Sequence, residues 1–208
     1  MVVAAPPRTL IPALESGMCL TAEEFDRIYE LHPEIKKAEL VQGVVYVGGP
    51  VRIAEHGVPD GLLRTWGGNY ALTRADVRCG ANGTVRLSAT DRVQPDSMLW
   101  NSTGGSATIG SDDYMDGAPE LAVEVAASSA SYDLHTKKES YRKAGVQEYV
   151  VWVTEEDRIL WFALEGGAYI ELAADADGWT RSRVFPGLRL HIERLLNGDG
   201  SVVLPGAV

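Results

Sequence analysis

Glu124 stands in the run Leu121-Ala122-Val123-Glu124-Val125-Ala126, which is otherwise apolar on both alternating faces. Such a run reads as a central strand covered on both sides. Burying a lone carboxylate costs several kcal/mol. Glu124 must therefore be paired, protonated or bound to a metal ion, unless it faces a solvent-filled groove. Asp96 follows Pro95 at the start of Ser97-Met98-Leu99-Trp100 and repeats the theme, although an acid beside proline also serves as a turn residue. Two carboxylates on neighbouring strands can share one hard cation, because magnesium prefers oxygen ligands, keeps several waters and needs only one or two carboxylates. Leu134, Lys137, Tyr141 and Ala144 recur at helical spacing on one face, while His135, Lys138 and Arg142 point elsewhere. Lys137 is thus the inward lysine. It either balances those acids and orients a water, or buries its stem and keeps its amine in solvent.

The elements that must position these groups are legible in outline. Thr21 and Glu24 form a capping-box pattern opening a helix to Glu30. Glu39 to Val47 reads as a strand with Gly43 at a turn or bulge, and a helix is expected near Ile53 to Trp66 despite Gly57 and Pro59. Asn82-Gly83 predicts a hairpin over Val77 to Leu87, with a further strand from Arg92 to Trp100. A polar loop, Asn101 to Gly117, leads to the Glu124 strand. A helix from Asp133 to Ala144 closes at Gly145 and is followed by paired strands, Glu148 to Thr154 and Arg158 to Leu164. Tyr169 to Ala173 and Arg181 to Phe185 add strand material, and Leu188 to Leu196 a short helix. The strand–helix–strand unit over 119–154 implies a parallel pair, so the class is α/β or α+β with a mixed sheet. One domain is expected over 18–197, with tails at 1–17 and 198–208.

Composition narrows the function. The hydrophobic fraction of 45% supports a full core, and no apolar run approaches the roughly 20 residues of a membrane span. A net charge of −10 argues against a protein that coats nucleic acid by charge alone, but carboxylates awaiting a cation contribute to such a total. Cys19 and Cys79 form neither a disulfide framework nor a metal pattern, and His32, His56, His135 and His191 lack zinc-ligand spacing. A reduced cytoplasm is expected. Ser128, Ser129 and Ser131 lack the Gly-x-Ser-x-Gly elbow of a serine nucleophile and read as a polar turn capping the next helix. Tyr141 and Tyr149 read as core or groove aromatics, and Trp152 and Trp161 as packing between layers or in a subunit contact.

Several stretches together resemble the Uma-type restriction-endonuclease family, a bacterial group within the PD-(D/E)xK nuclease superfamily. They are Pro95-Asp96, the run Gly117 to Val125, then Asp133, Lys137, Tyr141 and Ala144 to Tyr149. Thr21 to Phe25, Glu39 to Gly43 and His56 fit as well, so the resemblance covers roughly residues 18 to 195. It implies a restriction-endonuclease-like core, a central mixed sheet flanked by helices, with metal-binding carboxylates at Asp96 and Glu124 and an additional acid at Glu39. The superfamily lysine usually stands two residues beyond the second carboxylate, where this chain has Ala126. Members of this type supply it from the following helix, which corresponds to Lys137. Ala127 replaces a frequent Ser, and Gln42 a frequent Asp before Gly43.

The expected activity is hydrolysis of DNA phosphodiester bonds with Mg²⁺ or Mn²⁺, by a homodimer if both strands of a duplex are cut. Asp96 and Glu124 would hold the ion, Lys137 would position water or offset charge, and Glu39 would bind through water or stand behind the ligands. Tyr141 is an accessory candidate; His56 would contact a phosphate, donate to Glu39 or cap its helix. Two rivals stay open: a catalytically inactive nuclease-fold binding protein, and a metal-dependent hydrolase of another phosphorylated substrate.

Overall fold

The structure, a computed structural model, describes residues 12–206. In chain order its first half comprises α1 (Ala22–Leu31), β1 (Ala38–Val41), β2 (Val44–Val47), α2 (Val58–Leu72), β3 (Val77–Gly80), β4 (Val85–Arg86), β5 (Arg92–Val93), β6 (Ser97–Asn101), β7 (Thr108–Ile109) and β8 (Met115–Asp116). The second half adds β9 (Leu121–Ala126), α3 (Lys138–Ala144), β10 (Glu148–Val153), β11 (Arg158–Glu165), β12 (Ala168–Glu171), β13 (Thr180–Arg181), β14 (Arg189–Leu190) and α4 (Ile192–Leu196). A π-turn at Ile53–Gly57 leads into α2, and another at Tyr132–Lys137 leads into α3.

The architecture is mixed α+β, with two six-stranded mixed sheets. The central sheet runs β12-β11-β10-β9-β6-β3 and the second runs β2-β1-β5-β4-β8-β7. β9 and β10 are parallel, joined across 127–147 by the second π-turn and α3, as the strand–helix–strand unit predicts. Every residue of both strands is buried, which is what an apolar run covered on two faces requires. Alternation then sorts the side chains. Leu121, Val123 and Val125 join Leu63, Trp66 and Trp161 in one core, under α2 and α4. Ala122 and Ala126 join Tyr141, Tyr149, Val93 and Met98 in another, between the sheet, α3 and the second sheet. Glu124 falls in step with the latter pair and points into the inter-layer space. Trp161 and Trp66 meet edge to face with centroids 5.2 Å apart, the arrangement aromatic quadrupoles favour.

Local signals set several boundaries. Thr21 caps α1 as expected: the Glu24 amide donates to its hydroxyl at 3.3 Å, and the Thr21 amide donates to the Glu24 carboxylate at 2.9 Å. Gly145 ends α3 at φ +87°, a left-handed geometry that costs glycine no Cβ clash. The Glu39 strand is in fact a hairpin, β1–β2, turning at Gln42 and Gly43 with φ of +53° and +77°.

Other local expectations yield to tertiary pairing. Asn82 does take φ +57°, but the predicted hairpin over 77–87 does not form. β3 pairs with β6 in the central sheet, while β4 pairs with β5 and β8 in the second. Asn-Gly specifies a tight turn, not the partner of the strands that flank it. The Arg92–Trp100 strand breaks at Gln94-Pro95-Asp96 into β5 and β6, one in each sheet, because proline has no amide for the ladder. The polar loop 101–117 contains the small β7–β8 pair. Within the segment expected as a C-terminal tail, residues 200–203 form a 3₁₀ turn that buries Val202 and Val203 against the first core. The expected N-terminal tail lies outside the described residues up to position 11. Of its remainder, Leu14 is buried and the Gly17 amide donates to the Val45 carbonyl at 2.8 Å.

Candidate active site

Four elements deliver acids and amines to one cleft of about 640 Å³ between the two sheets. The antiparallel register of β6 and β9 pairs Ser97 with Val123, so its continuation sets Asp96 beside Glu124 on the same face. The Val125 amide donates to Asp96 Oδ2 at 2.9 Å, which fixes this end of the ladder. β1 brings Glu39 in from the second sheet, where the Gln94 amide donates to its Oε1 at 2.6 Å. The second π-turn supplies Lys137. Its widened turn carries the amine inward, in keeping with the use of π-turns at functional sites.

Lys137 is 1% exposed and bridges two acids: its Nζ lies 2.7 Å from Glu124 Oε1 and 2.8 Å from Glu39 Oε1. Tyr141, one helical turn on, donates its hydroxyl to Glu124 Oε1 at 2.8 Å. Both partners of Glu124 thus engage one oxygen. The Tyr132 hydroxyl donates to Glu39 Oε2 at 3.3 Å, and the Tyr132 and Tyr141 rings each face the Lys137 ammonium at 5.9 Å. Lys138, the neighbour that helical spacing set aside, instead sits 3.3 Å over the Phe162 ring.

Asp96 has its own cations. Lys37 Nζ lies 2.9 Å from Oδ1, and His56 Nε2, in the first π-turn, lies 3.2 Å from Oδ2. His56 therefore meets Asp96 rather than Glu39, and its buried Nδ1 has no hydrogen-bond partner among the described residues. Asp133 accepts a 2.6 Å bond from the Ser129 hydroxyl at the same cleft.

These contacts set opposing charge states. Burial works to raise the Asp96 pKa, but the bond from His56 and the charges of Lys37 and Lys137 outweigh it, so Asp96 stays ionised well below the usual carboxylate range. Burial pushes Glu124 up, aided by the Asp96 charge and opposed by Lys137. The same burial acts to lower Lys137, yet Glu124, Glu39 and Asp133 together hold its ammonium well above its ordinary range. Burial also carries Asp133 up to about 6. One acid firmly ionised beside one held higher is a pattern concentrated at functional sites.

Two of the residues nearest the acids were not foreseen. Lys37 precedes β1 by one residue, and its i, i+2 relation to Glu39 was the available signal, since such residues share a strand face. Tyr132 carried no such signal, because a π-turn shifts the helical period at that point.

The donor chemistry suits a hard cation. Asp96 and Glu124 open on the same cleft, and one or two carboxylates with waters suffice for magnesium. Glu39 accepts from Lys137, Gln94 and Tyr132, and both oxygens of Asp96 likewise meet protein donors, Lys37, Val125 and His56. Among the described residues no group of three or more His, Cys, Asp or Glu is arranged to hold a metal. Asp96 and Glu124 are the pair that could hold such an ion, with Glu39 behind the amine.

Against this geometry, a family model described as "Uma2: Putative restriction endonuclease" matches residues 22–193. The chain belongs to the Uma2 family. The match spans the acids, the amine and both π-turns. Among solved structures, the chain is similar to one described as "a putative nuclease belonging to DUF820" from Anabaena variabilis, with a TM-score of 0.66 and 15% identity. The alignment covers 86% of this chain and 98% of that one, which shows a shared fold. No curated protein matches the sequence. Among the described residues no helix is long and apolar enough to cross a membrane.

Proposed function

We propose that this Uma2 protein hydrolyses phosphodiester bonds in DNA with Mg²⁺ or Mn²⁺, Asp96 and Glu124 being the ligands. The reading rests above all on one observation: a fully buried lysine joins two acids on the floor of an open cleft that a third acid shares. A purely structural site gains little from such an arrangement, because desolvating the charges offsets most of their attraction. When bound, a divalent ion supplies Lewis acidity toward a phosphoryl group and makes a neighbouring water more acidic. The protein's own part is positional. Asp96, fixed by the Val125 amide, presents a permanent negative charge. Lys137, held between Glu39 and Glu124, keeps a preorganised positive charge beside the reacting phosphate. Tyr141 aims Glu124 and Tyr132 aims Glu39, so neither acid is free to rotate. His56 and Lys37 supply cations to Asp96, and on approach of a substrate to its phosphates.

Calorimetric titration of Mn²⁺ into the wild type and Asp96→Asn, paired with cleavage of single-stranded and plasmid DNA, tests this. Binding and cleavage by the wild type, both lost in the variant with its circular dichroism unchanged, is the expected result. Cleavage retained in Asp96→Asn overturns the ligand assignment. One observation favours a non-catalytic binding protein instead: Asp96 already has protein donors on both oxygens. A folded wild type that takes up neither ion supports that reading. Nucleotide and RNA substrates tested beside plasmid distinguish a hydrolase of other phosphate esters.

A further inference from the structure

Tyr46 lies directly across the β1–β2 ladder from Glu39, so the two side chains share a face and Tyr46 stands over the cleft. It is half-buried, on the edge strand of the second sheet. Its ring rests on that of Tyr132, with centroids 4.2 Å apart and planes tilted by 35°. Tyr132 is in turn pinned by its hydroxyl bond to Glu39. The Tyr46 hydroxyl makes no hydrogen bond among the described residues, so what Tyr46 offers the cleft is an aromatic surface on a rigid backing. Pro50 and the exposed Val51 line the same cleft and extend the apolar wall.

The charge balance gives no basic track along a duplex, so a strand held here relies on base contact more than on many phosphates. Duplex DNA is held mainly by Lys and Arg that displace its counterions. Six acidic side chains line this cleft against three Lys or Arg, and the whole chain carries −10. The acids themselves are nearly inaccessible, Asp96 being 3% and Glu124 2% exposed. A phosphate in an intact duplex sits on a broad, stiff cylinder and cannot sink to that floor, whereas a single strand can be drawn in and its unpaired bases can stack.

We infer that Tyr46, backed by Tyr132, is a stacking platform for an unpaired base, and that the substrate class is single-stranded DNA rather than intact duplex. The inference rests on the nuclease reading and names its substrate. A strand taken up singly needs only one active site, so this activity does not depend on a homodimer. Stacking makes affinity tolerant of sequence, and the modest number of phosphate contacts makes its salt dependence shallow.

Fluorescence anisotropy of a labelled 12-nucleotide single strand and of its blunt duplex, with the full chain in Ca²⁺, reads binding apart from cleavage. The expected result is tighter binding of the single strand. Tyr46→Leu, which keeps apolar bulk in the hairpin, weakens it by about tenfold, and Tyr46→Phe leaves it unchanged. Equal or tighter duplex binding overturns the inference, as does Tyr46→Leu binding the single strand like the wild type. Cleavage assays in Mn²⁺ on the same strands keep the two readings apart. No cleavage of either strand form counts against the nuclease reading, while cleavage with duplex preference leaves that reading standing and removes this one.

Discussion

Replacing Lys137 by Met keeps most of the stem and deletes the charge, and its consequences follow from the geometry. The amine lies 2.8 Å from Glu39 and 2.7 Å from Glu124, all three groups buried. Lys137→Met leaves two carboxylates without their shared cation in a low-dielectric site. Breaking a buried ion pair from one side costs about 3–5 kcal/mol. For a chain of this size each kcal/mol moves Tm by about 2–4 °C, so the variant should melt roughly 6–20 °C lower. The loss also has a pH signature. Without the ammonium, Glu124 rises further above its ordinary 4.5, so the folded variant holds a proton that the unfolded chain has released. Its stability then falls as pH rises through that window, and the deficit against wild type is smaller at pH 5 than at pH 7.5. Adding Glu124→Gln removes one stranded charge and recovers part of the loss, which urea denaturation of both single variants and the double variant measures. A single variant within about 1 kcal/mol of wild type at pH 7.5 refutes the claim that this amine neutralises the cleft floor.

Three further outcomes follow from the same contacts. Tyr141→Phe removes a hydrogen bond to a buried carboxyl oxygen and should cost about 1–3 kcal/mol by urea denaturation, because the helix itself is untouched. Asp133, carried to about 6 by burial, holds a proton in the folded state between its ordinary 3.8 and 6. Stability therefore declines as pH rises through that interval, and Asp133→Asn flattens that part of the wild-type profile. Glu148 is fully buried in β10 and accepts from the Trp161 indole, the Ser182 hydroxyl and the Arg183 and Val184 amides. Glu148→Gln turns an amide NH₂ toward donors, and a calorimetric Tm lowered by several degrees is expected while Mn²⁺ uptake persists.

Glu124 was legible because an acid breaking an apolar period of two has few stable outcomes. Lys137 was legible because helical spacing separates it from Lys138, and the structure puts the two on different partners. The capping box of α1 and the left-handed close of α3 were equally local matters. The strands around Asn82 were misassigned because a turn signal constrains four residues, whereas pairing is decided by whichever sheet offers a ladder.

What this chain's residue order settled alone is therefore local: which residues are buried, which face each occupies, where helices begin and stop. Those outcomes depend on backbone geometry and on water excluded within a few residues. The partnership of charges came only with the assembled layers. Lys37 reaches Asp96 across 59 positions and Tyr132 reaches Glu39 across 93. Desolvation and Coulomb attraction act on such pairs only after the two sheets close on each other, and beyond the strand face that Lys37 shares with Glu39 no local period in the chain records them.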